Sequence, residues 1–421
     1  LVRPAYSNLS IQTMKINLQQ TNSHSLNGNA FADVLFSDEL KFTFNAATSV
    51  YGRRYFDTGN PFYGWGIEEK GRVSVYHYRT TTLNLQQLLN YNHTFGDSHN
   101  FSALLGHEYY KYNYVQLSAS KKNMFSYWGN HELEGAVIDG KGADSYATNY
   151  NTEGYFFRGL YDYNGKYFAS ASFRRDASSR FHPKHRWGNF YSLGGAYLIS
   201  NEEFFKCKAF DILKIKFSIG QQGNDNIGDF YYTDRYGITN NNDALSLSFS
   251  GKGKEDITWE TNTNVNLGAE FELWKGKLTG DVELFYRKTT DMLNWFTVPP
   301  SLGYDGYYDN VGDMENRGVE VDLHYTPIKR KDLVWTINLN LTHYKNKISY
   351  LPEEKKTNNV GGYDGYVNGI RYYGEGLPIN TWRIHRFAGL SSEGKSLWYY
   401  TDKTTGEEKT TDTYSNADYY L

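Results

Sequence analysis

The side chains able to hold a metal or move a proton are numerous in this sequence but poorly spaced for either task. His182 and His185 flank Pro183 and Lys184. Two imidazoles could begin a zinc site, but such a site needs three or four protein ligands, and no cysteine or carboxylate lies close to them in sequence. Pro183 also disfavours a helix that would align them. A solvated loop is the expected use. Asp225, Asp229 and Asp234, with Asn224 and Asn226, offer the oxygen ligands that calcium prefers. The spacing and terminal glutamate of an EF-hand loop are missing, so turn chemistry accounts for these residues better. Gly251-Lys252-Gly253-Lys254 is too short to cradle a phosphate and no helical pattern follows it. Neither Gly-x-Ser-x-Gly nor His-Glu-x-x-His occurs. Carboxylates are abundant, but spacing alone does not pair them for glycoside hydrolysis. The sequence predicts no catalytic residue, no metal site and no cofactor.

What remains is binding chemistry, carried by aromatic rings in long connections. The stretch 52–71 holds Tyr55, Phe56, Phe62, Tyr63 and Trp65 around the turn Gly59-Asn60-Pro61. The stretch 119–149 holds Phe125, Tyr127, Trp128 and Tyr146 among His131, Glu132, Glu134 and Asp144. The stretch 294–314 holds Trp295, Phe296, Tyr304, Tyr307 and Tyr308 beside Pro299-Pro300. A flat aromatic face stacks on a sugar ring or a peptide side chain, but the same rings serve to pack loops together or to form an interfacial girdle. Tyr63, Trp65, Tyr127, Trp128, Tyr304 and Tyr308 are the candidate ligand contacts. For 294–314 a structural role is favoured over a role in choosing cargo.

The elements that position these loops are strands. From Tyr155 to Tyr163 the odd positions are Tyr155, Phe157, Gly159, Tyr161 and Tyr163, while Arg158 and Asp162 fall on the other face. Asn164-Gly165 follows, the strongest short hairpin signal, because both positions need positive φ. Tyr167, Ala169, Ala171 and Phe173 then oppose Ser170, Ser172, Arg174 and Asp176. The same alternation sets Val282 and Leu284 against Asp281 and Glu283, Val321 and Leu323 against Glu320 and Asp322, and Ile337 and Leu339 against Asn338. It predicts fourteen strands: 29–36, 40–51, 72–95, 100–118, 150–163, 166–178, 187–200, 210–222, 257–273, 278–293, 315–328, 333–350, 380–390 and 396–402. Residues 1–28 read as a loop. Short and long connections alternate, with 179–186 and 201–209 the one weak place. Tight turns at one end and long loops at the other describe an up-and-down membrane barrel. Greek-key sandwiches and four-stranded propeller blades do not keep that order.

Composition agrees. The chain has 421 residues, 39% of them hydrophobic but 17% aromatic, with 39 tyrosines. Few aliphatics and many aromatics suit a barrel with a wet inside and an apolar outside better than a soluble core. No run of about 18 apolar residues exists, so no membrane helix is expected. The net charge of −3, from 44 basic and 47 acidic residues, gives no support to a nucleic-acid partner. Cys207 is the only cysteine, so there is no disulfide framework.

Several segments resemble the barrel of SusC/RagA-type TonB-dependent outer-membrane transporters. They are Arg174–Phe181 (RRDASSRF), Arg186–Phe205, Ile257–Phe271 (ITWETNTNVNLGAEF), Lys277–Leu293, Asn310–Leu323 (NVGDMENRGVEVDL) and Gly374–Tyr400. The resemblance implies an all-β, antiparallel transmembrane barrel of about 22 strands around an N-terminal plug. It implies TonB coupling through a box ahead of the plug, a SusD-type surface lipoprotein as partner, an oligosaccharide or peptide cargo, and a place in the outer membrane of a Gram-negative bacterium. Residues 1–421 would be one partial barrel domain, with plug, TonB box, signal peptide and final strands outside this sequence. Arg158, Asp162, Arg174, Asp176, Asp281, Glu283, Glu320 and Asp322 would then face the plug or the wet lumen, and the apolar positions would face lipid. An incomplete wall is expected, with 29–36 and 396–402 as its unpaired outermost strands. A passive porin or adhesin-like barrel, and a secreted all-β glycan-binding or glycan-active protein, are the alternatives.

Overall fold

A computed structural model describes residues 18–62, 66–125, 132–242 and 244–421. The chain opens with β1 (Gln19–Leu35), β2 (Leu40–Gly59), β3 (Arg72–Phe95) and β4 (His99–Met124). β5 (Ala136–Tyr163), β6 (Tyr167–Ser178), β7 (Trp187–Leu198) and β8 (Phe210–Asn224) follow. A separate hairpin, β9 (Arg235–Asn241) and β10 (Ala244–Gly251), precedes β11 (Glu260–Leu273) and β12 (Leu278–Thr290). A second hairpin, β13 (Leu293–Thr297) and β14 (Gly306–Asn310), precedes β15 (Asp313–Arg330) and β16 (Leu333–Tyr350). The remainder is short strands: β17 (Asn358–Val360), β18 (Tyr363–Asn368), β19 (Arg371–Gly374), β20 (Thr381–Trp382), β21 (Ile384–His385), β22 (Phe387–Leu390), β23 (Ser396–Thr401), β24 (Glu408–Thr411) and β25 (Tyr419–Tyr420).

Twelve of these strands form one sheet in the order β1-β2-β3-β4-β5-β6-β7-β8-β11-β12-β15-β16. The pairings β1–β2, β7–β8, β8–β11, β11–β12, β12–β15 and β15–β16 are all antiparallel, as an up-and-down meander requires. In that order β1 and β16 are the outermost strands. Asn164 and Gly165 have φ of 54° and 63°, the left-handed pair of a type I′ turn, and the Lys166 N–H donates to the Tyr163 carbonyl at 3.0 Å.

Three expectations need correction. Residues 380–390 and 396–402 are not wall strands; they fall in β20–β23, within small separate sheets. Their strands are at most six residues long, short of the roughly 9–11 needed to cross a membrane. The outermost strand on that side is therefore β16. At the other end, strand begins at Gln19, inside the stretch expected to be loop. QQTNSHSLNGN is polar on both faces and gives no alternation, but it pairs without interruption from Gln19–Asp57 to Leu35–Lys41.

Contacts group the chain into two compact units. One comprises residues 1–90, 105–155 and 177–179, the other 91–104, 156–176 and 180–421. The first has a small core of Val73, Met124 and Ala136, with Val75 and Leu133 against it. The second has two cores, both formed around long connections. Phe181, Ile227 and Ile257 gather Tyr231, Tyr232, Trp259, Leu293 and Tyr308; Ile348, Leu351 and Tyr366 gather Tyr373 and Ile379.

Candidate functional site

The register of β8, β11, β12, β15 and β16 sorts side chains into two chemically opposite faces. On one, Val282 lies opposite Val321, Leu284 opposite Val319, and Leu323 opposite both Gly280 and Leu339. On this face Leu284 is 54% exposed, Leu341 56% and Leu267 49%, while Val282, Val319, Val321 and Leu323 are half-buried. On the other, Asp281 lies directly opposite Asp322, and Glu283 opposite Glu320. The two predicted sets fall on opposite faces in every strand, because side chains alternate and the register keeps like beside like.

Carboxylates facing carboxylates repel, and lysines and hydrogen-bonding side chains from neighbouring positions offset this. Lys216 pairs with Asp281. Lys214 Nζ lies 3.7 Å from Glu270. His324 Nε2 is 3.0 Å from Asp322 Oδ1, and its Nδ1 is 2.8 Å from Asn338 Oδ1. On β6, Arg174 donates to both oxygens of Asp176 at 2.7 and 2.8 Å and lies over the Phe156 ring. Asp162 accepts from Asn100 at 2.8 Å, and Arg158 is exposed on the same face of β5 by alternation. All eight charged candidates thus sit on strands, opposite the apolar faces, and Arg174 and Asp176 are engaged with each other.

The second candidate region is the core of the long connections. Phe181, from the 179–186 connection, is fully buried, with Trp259 tilted against it at 5.4 Å between ring centroids. Trp259 donates its indole N–H to the Arg186 carbonyl at 2.8 Å. Phe190 covers Gly223 so closely that a Cβ there would lie 2.1 Å from the ring, so this strand position admits only glycine without rearrangement. Tyr308 packs edge-on against Tyr231 (4.5 Å) and Trp295 (5.3 Å); Tyr304 meets Phe249 at 5.8 Å. Both are half-buried and engaged in loop packing. Tyr63, Trp65, Tyr127 and Trp128 lie outside the described residues.

Within this core lies a residue that the sequence reading passed over. Lys355 is fully buried. Its ammonium sits 2.9 Å from the centre of the Phe296 ring and 5.1 Å from that of Tyr307. Its nearest carboxylate is Asp309, itself 5% exposed, at 4.0 Å, and that carboxylate also takes Lys254 at 2.7 Å. Burial pushes the Lys355 ammonium down to about 8, against the pull of Asp309 and Glu354. Burial also works against the charge on Lys254, but its bond to Asp309 prevails and holds it above the ordinary lysine range. Lys355 carries the connection after β16; Phe296, Tyr307 and Asp309 belong to the β13–β14 hairpin. One side chain therefore joins two loops. Its sequence context, Pro352-Glu353-Glu354-Lys355-Lys356, reads as an exposed charged turn and gives no signal of burial.

The residues considered for metals have other uses. Arg180 lies 3.7 Å from both Asp225 and Asp229. Asp234 takes Lys252 at 3.0 Å and the Gly253 N–H at 2.9 Å. Folding brings Glu255 to 3.8 Å from His182, a carboxylate that sequence spacing did not place there. Among the described residues, no three histidine, cysteine or carboxylate side chains converge as a metal would need.

Residues 3–421 match the family model described as TonB dependent receptor-like, beta-barrel. The chain belongs to this family. Among curated relatives, it is 30% identical over 307 residues to TonB-dependent receptor P39 of Formosa agariphila, covering 69% of this chain and 29% of the relative. It is 29% identical over 307 residues to TonB-dependent receptor SusC of Bacteroides thetaiotaomicron, covering 70% and 29%. Among solved structures, a chain of the RagAB peptide transporter aligns with a TM-score of 0.85 at 26% identity, covering 96% of this chain and 45% of that one. The RagAB peptide importer in its closed-closed state aligns with a TM-score of 0.84. The SusC/RagA resemblance read from the sequence is thereby borne out. The chain spans about a third of the curated relatives it matches and under half of the structural neighbours.

Proposed function

We propose that this chain forms part of the barrel wall, and several extracellular loops, of a TonB-dependent importer in the outer membrane of a Gram-negative bacterium. The whole protein would bring in an oligosaccharide or a peptide, working with a SusD-type surface lipoprotein. The observation that carries the proposal is the pair of opposite faces along one meandering antiparallel sheet. An uncovered apolar face at strand positions such as Leu267, Leu284 and Leu341 suits lipid and would be a liability in water. The charged face bearing Arg158, Asp162, Arg174, Asp176, Asp281, Glu283, Glu320 and Asp322 would line the lumen and meet the plug. A barrel of about 22 strands is too wide for its own side chains to fill, so a plug is what keeps it closed. The role is transport rather than catalysis. Loops such as that of Tyr304 and Tyr308 would frame the entrance.

The test is uptake by cells carrying the full-length receptor as their only route for its cargo. Uptake should require both the receptor and TonB. Uptake that needs the receptor but persists without TonB would overturn the energy-coupled reading and favour a passive porin.

A further inference from the structure

The β9–β10 hairpin stands out of the 225–259 connection with one face uncovered. Its register pairs Tyr236 with Phe249 and Ile238 with Leu247, and sets Leu245 beside them on that face. The opposite face holds Gly237, Thr239, Ser246 and Ser248. The apolar side chains are bare: Ile238 is 74% exposed, Leu245 73%, Leu247 62% and Tyr236 60%. With Phe249 they offer about 600 Å² of apolar surface, at roughly 200 Å² per large side chain. That reaches the upper end of what a monomer leaves open, and about three-quarters of one side of a standard protein–protein interface.

Two-stranded hairpins are marginal in water unless something packs on the apolar face. Here the base is anchored: Arg235 stacks on Tyr231 at 3.8 Å, Lys252 pairs with Asp234, and Phe249 meets Tyr304. Ile238, Leu245 and Leu247 stay more than half exposed.

We infer that this face is the docking surface for a second protein outside the membrane, one that presents an uncharged, apolar surface. The inference rests on the proposed import function and names the part of the chain its surface lipoprotein would hold. Three observations favour that occupant. Lipid is disfavoured by height: β8 is 15 residues long, which at about 3.3 Å per residue and a tilt near 40° carries its far end about 35 Å from the short-turn side, beyond an apolar band of about 25 Å. Sugar is disfavoured by chemistry, since Ile238, Leu245 and Leu247 are aliphatic and give neither a flat ring nor a hydrogen bond. From Tyr236 to Gly251 the sequence has a single charge, Asp243, so an uncharged partner surface fits. A wall strand added beyond β16 would lie four strands from β11, roughly 19 Å away at 4.8 Å per strand.

The experiment places a photo-crosslinking amino acid at Ile238 or at Leu247 of the full-length receptor, in cells that also make the lipoprotein encoded with it. Crosslinks from both positions to that lipoprotein are expected, mapped by mass spectrometry. Ile238→Glu with Leu247→Glu should lower co-purification of the lipoprotein at least tenfold, while the receptor still reaches the outer membrane as a heat-modifiable barrel. Crosslinks only to lipid, to cargo or to the receptor's own loops, with the lipoprotein still co-purifying with the unmodified receptor, would overturn the docking surface alone. If the lipoprotein never co-purifies with the unmodified receptor, the partner in the proposed function falls as well.

Discussion

Asp309→Asn should loosen two loops at once. The substitution keeps the size of the side chain and removes its charge. Lys254 loses its 2.7 Å partner, but its side chain is one-third exposed and can turn to water. That part should cost about 1 kcal/mol or less, as partly exposed pairs do. Lys355, with its side chain 1% exposed, cannot turn to water, but near 8 it can shed its proton. Leaving a buried charge without its counter-ion costs about 3–5 kcal/mol. Two effects moderate this: the 4.0 Å separation makes the pair less than a close bridge, and the Phe296 face still attracts the cation by about 2 kcal/mol. At pH 7 loss of the Lys355 proton caps its share at about 1.4 kcal/mol, so with the Lys254 pair the net expectation is about 2 kcal/mol of local stability, roughly thirtyfold in the population of the opened loops. Hydrogen exchange on the full-length receptor in detergent or lipid would read it. Amides such as Val298, bonded to the Asp305 carbonyl, and Lys355, bonded to that of Pro352, should exchange about thirtyfold faster at pH 7, and β11 and β12 should not change. Unchanged exchange in both loops would refute the reasoning. So would an equal loss in Lys254→Ala, which would place the energy in the exposed pair.

Two further outcomes follow from the same structure. Lys355 has a folded-state value near 8 against an ordinary 10.5, so the unfolded loop binds more protons between those limits. Loop stability should therefore rise as pH goes from about 8 to about 10.5, by at most ~3 kcal/mol, and the penalty is fully present below 8. Asp309, Lys254, Glu354 and Tyr307 face the same ammonium, so Lys355→Met is the control: exchange in these loops should lose that rise while the other groups remain. In the wall, Leu284→Arg should cost ~2–4 kcal/mol in urea titrations of folding into lipid vesicles, while Glu283→Arg, opposite Glu320, should cost little. Equal costs would contradict the assignment of faces.

The wall was legible in the sequence because its period is two and its two faces differ in chemistry. Val282 and Leu284 against Asp281 and Glu283 define a strand without any knowledge of neighbours, and Asn164-Gly165 defines a turn by itself. Within β1 the strand at 29–36 was legible, but its first part was not, since QQTNSHSLNGN has no apolar face and is specified by its pairing with β2. The segments 380–390 and 396–402 alternate as well as wall strands do, and only their length in three dimensions separates them from the wall. The loop cores were opaque for a different reason. Tyr308 and Trp295 could be seen as aromatic, but whether a ring packs or waits for cargo depends on contacts such as that with Tyr231, far away in sequence. Lys355 was the hardest, because a lysine among charged residues predicts exposure, and its burial comes entirely from Phe296, Tyr307 and Asp309 on another loop.

The central claim is that alternate residues of one strand face lipid and lumen. Single cysteines at Asp281, Val282, Glu283 and Leu284, introduced after replacing the exposed Cys207 with Ser, test it most directly. Each is labelled with a fluorophore in the full-length receptor, reconstituted in vesicles with a quencher carried on the lipid chains. Strong quenching at 282 and 284 and weak quenching at 281 and 283 is the predicted pattern. Equal quenching at all four, or the reverse alternation, would contradict it.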